Sequence, residues 1–177
     1  GSGGNLLLGS GRTLTLSRNS ASASFTLTGT LTGPGTLVYQ NFTADNAATY
    51  FPTTGTLASV PVIRFDTVNG TLHVPARTDY GTIIAYKNNA TTSTVVLGTA
   101  ASQTLTLSGD MDIQNGNATN GITLDGNTNT PVTVNVTGNV TNSVGTGNAT
   151  LSMGAGTWTV SGNFDLTNVD TFNNNSG

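Results

Sequence analysis

The groups able to do acid–base or ligand chemistry are few: one histidine, His73, and eight aspartates, with no Glu and no Cys among 177 residues. A Ser-His-Asp relay built on His73 would need a nucleophile presented on a sharp turn. No such motif surrounds it, and Thr71-Leu72-His73-Val74 reads as a strand with His73 on the polar side. A zinc site needs three or four ligands of this kind, which a lone histidine does not provide. Paired carboxylates are the stronger candidate, since glycoside cleavage uses two of them across the scissile bond. Asp112 and Asp165 hold equivalent places in the repeat described below, with Thr141 between them. Regular stacking would put them about 10 Å apart, two strand spacings. Neither has an Arg or Lys beside it in the repeat, so the expectation is a solvated face. Asp110-x-Asp112 offers hard oxygens suited to calcium, but the glycine-aspartate nonapeptide of calcium-binding solenoids is missing. The sequence therefore predicts a non-enzyme, with no catalytic residue, no cofactor-binding residue, no metal ligand and no cofactor.

Three surface chemistries remain. Outward Thr pairs could order water in an ice-like array: Thr104/Thr106, Thr133/Asn135 and Thr157/Thr159, with Thr13/Thr15 and Thr26/Thr28 elsewhere. Asn135 breaks the middle pair, and Thr is also an ordinary filler of exposed strand positions. Tyr80 and Tyr86 could line a glycan-binding surface, whereas Trp158 falls at an inward position and reads as core. Asn-x-Ser/Thr sequons occur at Asn41, Asn69, Asn89, Asn117, Asn135, Asn139, Asn148 and Asn174, barely above the roughly six that this composition gives by chance.

Composition excludes other classes. Net charge is -3, and the five basic residues, Arg12, Arg18, Arg64, Arg77 and Lys87, are scattered. Nucleic-acid binding needs a clustered basic patch to displace counterions from phosphate. The longest apolar runs are about five residues, against roughly 20 for a membrane helix. Charged residues make up 7% of the chain, while Thr numbers 35, Asn 21 and Gly 23. The polar helix formers are nearly absent and a strand former dominates, so the elements that carry any site must be strands.

Those strands repeat. Thr104 to Ile113 reads TLTLSGDMDI, Thr133 to Asn142 reads TVNVTGNVTN, and Thr157 to Leu166 reads TWTVSGNFDL. A shorter block precedes each: STVVLG at 93–98, GITLDG at 121–126 and NATLSMG at 148–154. Cutting there gives units 93–120, 121–148 and 149–177, about 28 residues each. The opening Leu6 to Ser17, LLLGSGRTLTLS, echoes Val95 to Ser108 with a three-residue gap. Alternation within strands puts Leu105 and Leu107 on one side and Thr104 and Thr106 on the other. The fold class predicted is all-β, a parallel β-helix (β-solenoid) with coils of about 28 residues, clearest over 93–177. An antiparallel β-sandwich is the alternative. In the solenoid three inward ladders follow: Leu105, Val134, Trp158; Leu107, Val136, Val160; and Met111, Val140, Phe164. Residues 1–92 read as less regular coils of the same domain, alternating from Thr26 to Thr32, with a loop near 42–60 and a strand from Val60-Pro61 onward.

From Val62 to Gly177, about two thirds of the chain, the sequence resembles the Thr/Gly/Asn-rich β-solenoid repeats of large secreted or surface-anchored, adhesin-like proteins of bacteria and archaea. The resemblance rests on Phe65, Pro75-Ala76, Tyr80 followed by Thr82-Ile83-Ile84, and the three Ser/Thr-Gly segments. It implies a stalk or fibre. No amphipathic helix precedes Leu6-Leu7-Leu8 and none closes Phe172 to Gly177, so open coil edges are expected at both ends. The overall expectation is an extracellular or cell-surface structural protein, a stalk or adhesin segment or a self-assembling fibre subunit. Its partners would be copies of itself or a continuation of the chain. The alternative is a binding module for glycan or ice. Nucleic-acid binding and membrane insertion are not expected.

Overall fold

The structure, a computed structural model, describes residues 4–20, 25–42, 51–58, 62–68, 70–87, 89, 91–127 and 130–174. Sixteen strands follow in chain order. The first eight are β1 (Asn5–Leu7), β2 (Thr13–Arg18), β3 (Thr30–Thr32), β4 (Thr36–Asn41), β5 (Val62–Thr67), β6 (Gly70–Val74), β7 (Thr82–Lys87) and β8 (Ser93–Leu97). Then come β9 (Thr104–Leu107), β10 (Met111–Asn115), β11 (Ile122–Asp125), β12 (Thr133–Val136), β13 (Val140–Gly145), β14 (Ala149–Ser152), β15 (Trp158–Val160) and β16 (Thr171–Asn173). Every strand pairing among the described residues is parallel. A sandwich of hairpins would need antiparallel pairs, so the β-solenoid holds and the alternative falls.

The chain winds round three faces. A six-stranded sheet runs β13-β10-β7-β5-β4-β2, a five-stranded sheet β16-β14-β11-β8-β6, and a three-stranded sheet β15-β12-β9, with β1-β3 as a separate pair. On the largest sheet Leu14, Leu37, Ile63, Ile83, Met111 and Val140 stack in register, at steps of 23, 26, 20, 28 and 29 residues. Along this sheet the spacing is 28 or 29 only across β7, β10 and β13; the first half is tighter and uneven, and the last coil shortens to 24, Val134 to Trp158 and Val140 to Phe164.

All three predicted ladders pair in register, but Phe164, the last member of the third, is exposed and not inward. Val134 pairs with both Leu105 and Trp158, and Val136 with both Leu107 and Val160. Met111 pairs with Val140, which bridges Phe164. Apolar residues at alternate positions give each coil a dry inner wall, and Leu105, Leu107, Met111, Val134 and Val140 are fully buried. In the first half aromatics fill the interior. Phe25, Tyr39, Phe51, Phe65 and Tyr80 meet edge to face, with centroids 5.0–6.2 Å apart. Phe65 sits at the centre of this chain and is fully buried. Truncation to Ala should cost about 3–5 kcal/mol, as large-to-small aromatic changes do, readable as a lower urea midpoint with little change in slope.

The corners are polar and equally regular. In the Ser/Thr-Gly-Asp/Asn motif the amide of each coil's Asp or Asn bonds to a side chain of the coil before. Asp110 N donates to Thr82 Oγ1 (3.1 Å), Asn139 N to Asp110 Oδ1 (2.7 Å) and Asn163 N to Asn139 Oδ1 (2.8 Å). The preceding glycines stack directly: Gly109 N donates to Gly81 O, Gly138 N to Gly109 O and Gly162 N to Gly138 O. At the corner after the five-stranded sheet the chain needs a left-handed residue, supplied by Gly98, Asn127 and Gly154 at φ of 78°, 61° and 66°. Asn is the non-glycine residue that best tolerates this region, so the glycine of GITLDG, Gly126, stands one residue before the equivalent position.

Two expectations are corrected. The echo between Leu6–Ser17 and Val95–Ser108 is not a structural equivalence. Thr13–Ser17 belongs to the six-stranded sheet and Thr104–Leu107 to the three-stranded one. Each is an apolar strand, a glycine corner and an alternating strand, and two different corners of a solenoid satisfy that pattern. The alternation from Thr26 to Thr32 yields a strand only from Thr30. The strand read from Val60-Pro61 onward starts at Val62, so the proline marks a strand beginning, and the strand lies inside the sheet, between β4 and β7. The loop near 42–60 falls largely outside the described residues, as does Val60-Pro61.

Candidate binding face

The sequence-predicted chemistry disperses in three dimensions. His73 lies on β6, half-buried between the inward Leu72 and Val74. Asp112 is buried and takes hydrogen bonds from Gln114 Nε2 (2.7 Å), Thr141 Oγ1 (3.0 Å), Ser143 N (2.9 Å) and Ser143 Oγ. Three of these bonds come from the next coil and one from Gln114 on its own strand, so the carboxylate's four acceptor sites are taken up inside the scaffold. Asp165 does follow Phe164, stacked on Val140, so Thr141 stands between the two aspartates as expected. Asp165 is exposed and accepts from Thr167 N (2.9 Å) and Thr167 Oγ1 (2.5 Å), bonds that hold its carboxyl below the usual range. Asp110 holds the corner amide of Asn139. Among the described residues no three His or acidic side chains gather where a metal could be held.

The Thr array is short. Thr104 pairs with Thr133, and Asn135 with both Thr106 and Thr159, so the two rows on the three-stranded sheet span three coils and include one Asn. Thr13 and Thr15 face out from another sheet. Tyr80 is not a surface residue. It is buried among the core aromatics, its hydroxyl donates to Pro75 O at 2.9 Å, and burial raises its phenol pKa well above the ordinary value. Trp158 packs against the core with Nε1 donating to Met153 O at 2.9 Å, as its ladder place requires. The Asn41 sequon is buried at a strand end, where its Oδ1 accepts from Arg18 Nη1 at 2.9 Å.

Tyr86 is where chemistry collects. On the outer side of the six-stranded sheet, register places Gln40, Asp66 and Tyr86 in one row across β4, β5 and β7. Arg64, two residues before Asp66 on β5, shares this side and reaches the row. Its Nη2 lies 3.3 Å from Asp66 Oδ2, and its guanidinium lies over the Tyr86 ring, 4.3 Å from the centroid. Gln40 Nε2 donates to the same Asp66 oxygen at 3.3 Å. Beyond the strand ends Phe42, Val68 and Asn89 complete a cavity of about 280 Å³ lined by Gln40, Phe42, Arg64, Asp66, Val68, Tyr86 and Asn89. Phe42 keeps 43% of its surface exposed. Burial raises the Asp66 carboxyl above its ordinary range, against the lowering effects of Arg64 and Gln40. A carboxylate raised this way favours folding in its protonated form. Its stabilising contribution is present below the ordinary carboxylate pKa and lost as pH rises through the folded value. Asp66→Asn should therefore leave melting temperature at about pH 7 equal to or above that of the parent, with the gain shrinking toward about pH 4. Thermal melts across that range check it.

Sequence reasoning found Tyr86 but not its partners, which come from coils 20 and 26 residues apart. It also missed the buried cations. Arg18 and Lys87 lie fully buried at strand ends, Lys87 Nζ donating to Asn89 O at 2.8 Å, and burial lowers the Lys87 pKa. Protein-family models, curated proteins and solved structures give no match to this chain.

Proposed function

We propose that the chain is a structural segment of an extracellular rod, a stalk or fibre unit that works by stacking β-coils and carries out no catalysis. The observation that carries this reading is the pairing of interior and ends. The scaffold consumes its own polar chemistry: Asp110, Asp112 and Asn139 all bind the neighbouring coil. The ends of the described stack, by contrast, present apolar side chains. Leu6 and Leu7 are exposed at one, Leu7 by 68%, and Phe164 and Phe172 at the other. Parallel edge strands with open hydrogen-bonding groups accept a further coil, from a second copy or from more of the same chain. The Cys-free, Thr/Asn/Gly-rich surface suits an oxidising, protease-exposed exterior, in keeping with the adhesin-like resemblance. Sedimentation velocity over a wide concentration range tests the stacking. The expected result is mass growing with concentration for the parent and a monomer for Leu7→Asp, whose exposed site tolerates the charge; concentration-independent monomers for both would contradict it.

A second reading, a glycan-binding module, is favoured by one observation: the cavity beside Tyr86 gathers polar and aromatic side chains in one place. The two readings are compatible on one rod, as the cavity lies on a side and the edges at the ends.

A further inference from the structure

We propose that the cavity bounded by Phe42, Arg64, Asp66 and Asn89 is a subsite for a single pyranose unit of a neutral glycan. This rests on the binding-module reading and specifies its site and ligand class. Four observations converge. First, the polar side chains of Gln40, Arg64, Asp66 and Asn89 line the cavity together. Ligand sites set a few such donors and acceptors against an apolar wall. A vicinal diol answers such a set, one hydroxyl accepting from an N–H and its neighbour donating to an oxygen. Second, Phe42 presents an exposed ring on the cavity wall. The C–H face of a pyranose packs on such a ring while its equatorial hydroxyls reach the polar rim.

Third, the polar groups are held rigid. Arg64 is fixed by Asp66 at 3.3 Å and by the Tyr86 ring beneath it, and Asp66 by Gln40. Planar side chains immobilised before binding lose little entropy on meeting a flexible ligand. Tyr86 is thus a positioning residue: Arg64 covers one face of its ring. Fourth, the charge is balanced. Arg64 faces Asp66 inside the cavity, so a uronate or sulfated sugar finds no net positive field, and the chain as a whole carries -3. At about 280 Å³ the space is at the small end of ligand sites, the size of one sugar ring rather than a chain.

The test is isothermal titration with saturation-transfer NMR on the whole chain, using cellotetraose, maltotetraose and mannotetraose as neutral probes and tetragalacturonate as the charged one. Saturable binding of a neutral probe, insensitive to added salt, is expected. Phe42→Ala and Asn89→Ala should each weaken it by about fivefold or more, with unchanged circular dichroism, while Thr123→Ala on the five-stranded sheet leaves it intact. If a neutral probe binds equally to Phe42→Ala and Asn89→Ala, the cavity is the wrong site but the binding-module reading stands. If only tetragalacturonate binds, and salt abolishes it, the neutral assignment is overturned. If no probe binds, both the subsite and the reading it rests on fall.

Discussion

Replacing Arg77 by Met is expected to destabilise the protein by about 2–3 kcal/mol, the loss of charge-assisted hydrogen bonds from a buried guanidinium whose carboxylate partner is part-exposed. Arg77 is buried and its guanidinium satisfies five contacts. Nε and Nη2 grip Asp79 at 2.8 and 2.7 Å in a fork, Nη1 reaches Pro52 O and Thr54 O, and Nη2 reaches Gly55 O. Asp79 in turn accepts from Leu57 N at 2.9 Å. Arg77 and Asp79 thus tie residues 52–57 to the following coil, while the bridge of Thr56 to Thr30 ties them to the preceding one. Arg77→Lys should recover little, because a point charge cannot satisfy a carboxylate fork and three carbonyls together. The pH dependence is a second signature. Burial acts to raise the Asp79 carboxyl, but the Arg77 bonds, the Leu57 amide and the Arg77 charge outweigh it and hold it below the usual range. A depressed carboxylate stabilises above its ordinary pKa, and that contribution disappears as pH falls through the folded value. The parent should lose stability below about pH 4 more steeply than Arg77→Met does. Urea titrations at neutral and acid pH measure both effects.

Gly138→Ala is the second large effect, about 3 kcal/mol or more, in the class of overpacking against unyielding backbone. A Cβ there would lie 2.7 Å from the Gly109 carbonyl carbon and oxygen and closer still to Asp110 Oδ1. The neighbour cannot step aside, because Gly138 N is bonded to Gly109 O and Asp110 Oδ1 holds the next amide. The clash would open the stack at the corner that Gly81, Gly109, Gly138 and Gly162 share. Gly121→Ala is the control: its Cβ would meet Asn148 O at 3.4 Å, an ordinary contact. Thermal melts of the two variants should separate clearly, whereas equal melting temperatures would mean that the corner is softer than its geometry implies.

The parts of this fold legible in the sequence are those set by local rules. Strict alternation in TLTL, TVNV and TWTV, followed by a Gly corner, determines which residues point inward and which coil equivalents stack. Alternation and the shared Gly are therefore enough to align Leu105, Val134 and Trp158. The same parity marks Arg18, Asn41, Thr67, Lys87 and Asn115 as inward, since each lies two residues beyond an inward apolar neighbour. Hydrophobicity alone hides this, because charged residues are expected outside. At these strand ends the interior reaches the corner, where backbone carbonyls and amide side chains replace water: Asn115 Nδ2 donates to Asn120 O and Asn148 O, both at 2.9 Å. The candidate site is not legible for a different reason. Gln40, Arg64, Asp66, Tyr86 and Asn89 belong to the irregular first half, where coil steps of 26 and 20 residues follow one another. With no constant period, the residues that become neighbours are decided by the tertiary register and by excursions between strands. The misleading echo at Leu6–Ser17 has the same origin, a local pattern that two different corners satisfy.

The measurement that tests the central claim most directly is negative-stain electron microscopy of the purified chain at neutral pH, with light scattering alongside. A rod that extends by coil stacking predicts unbranched filaments of constant width, as wide as one three-sided coil, lost in Leu7→Asp. Discrete short particles at every concentration, indistinguishable between the parent and Leu7→Asp, would contradict it.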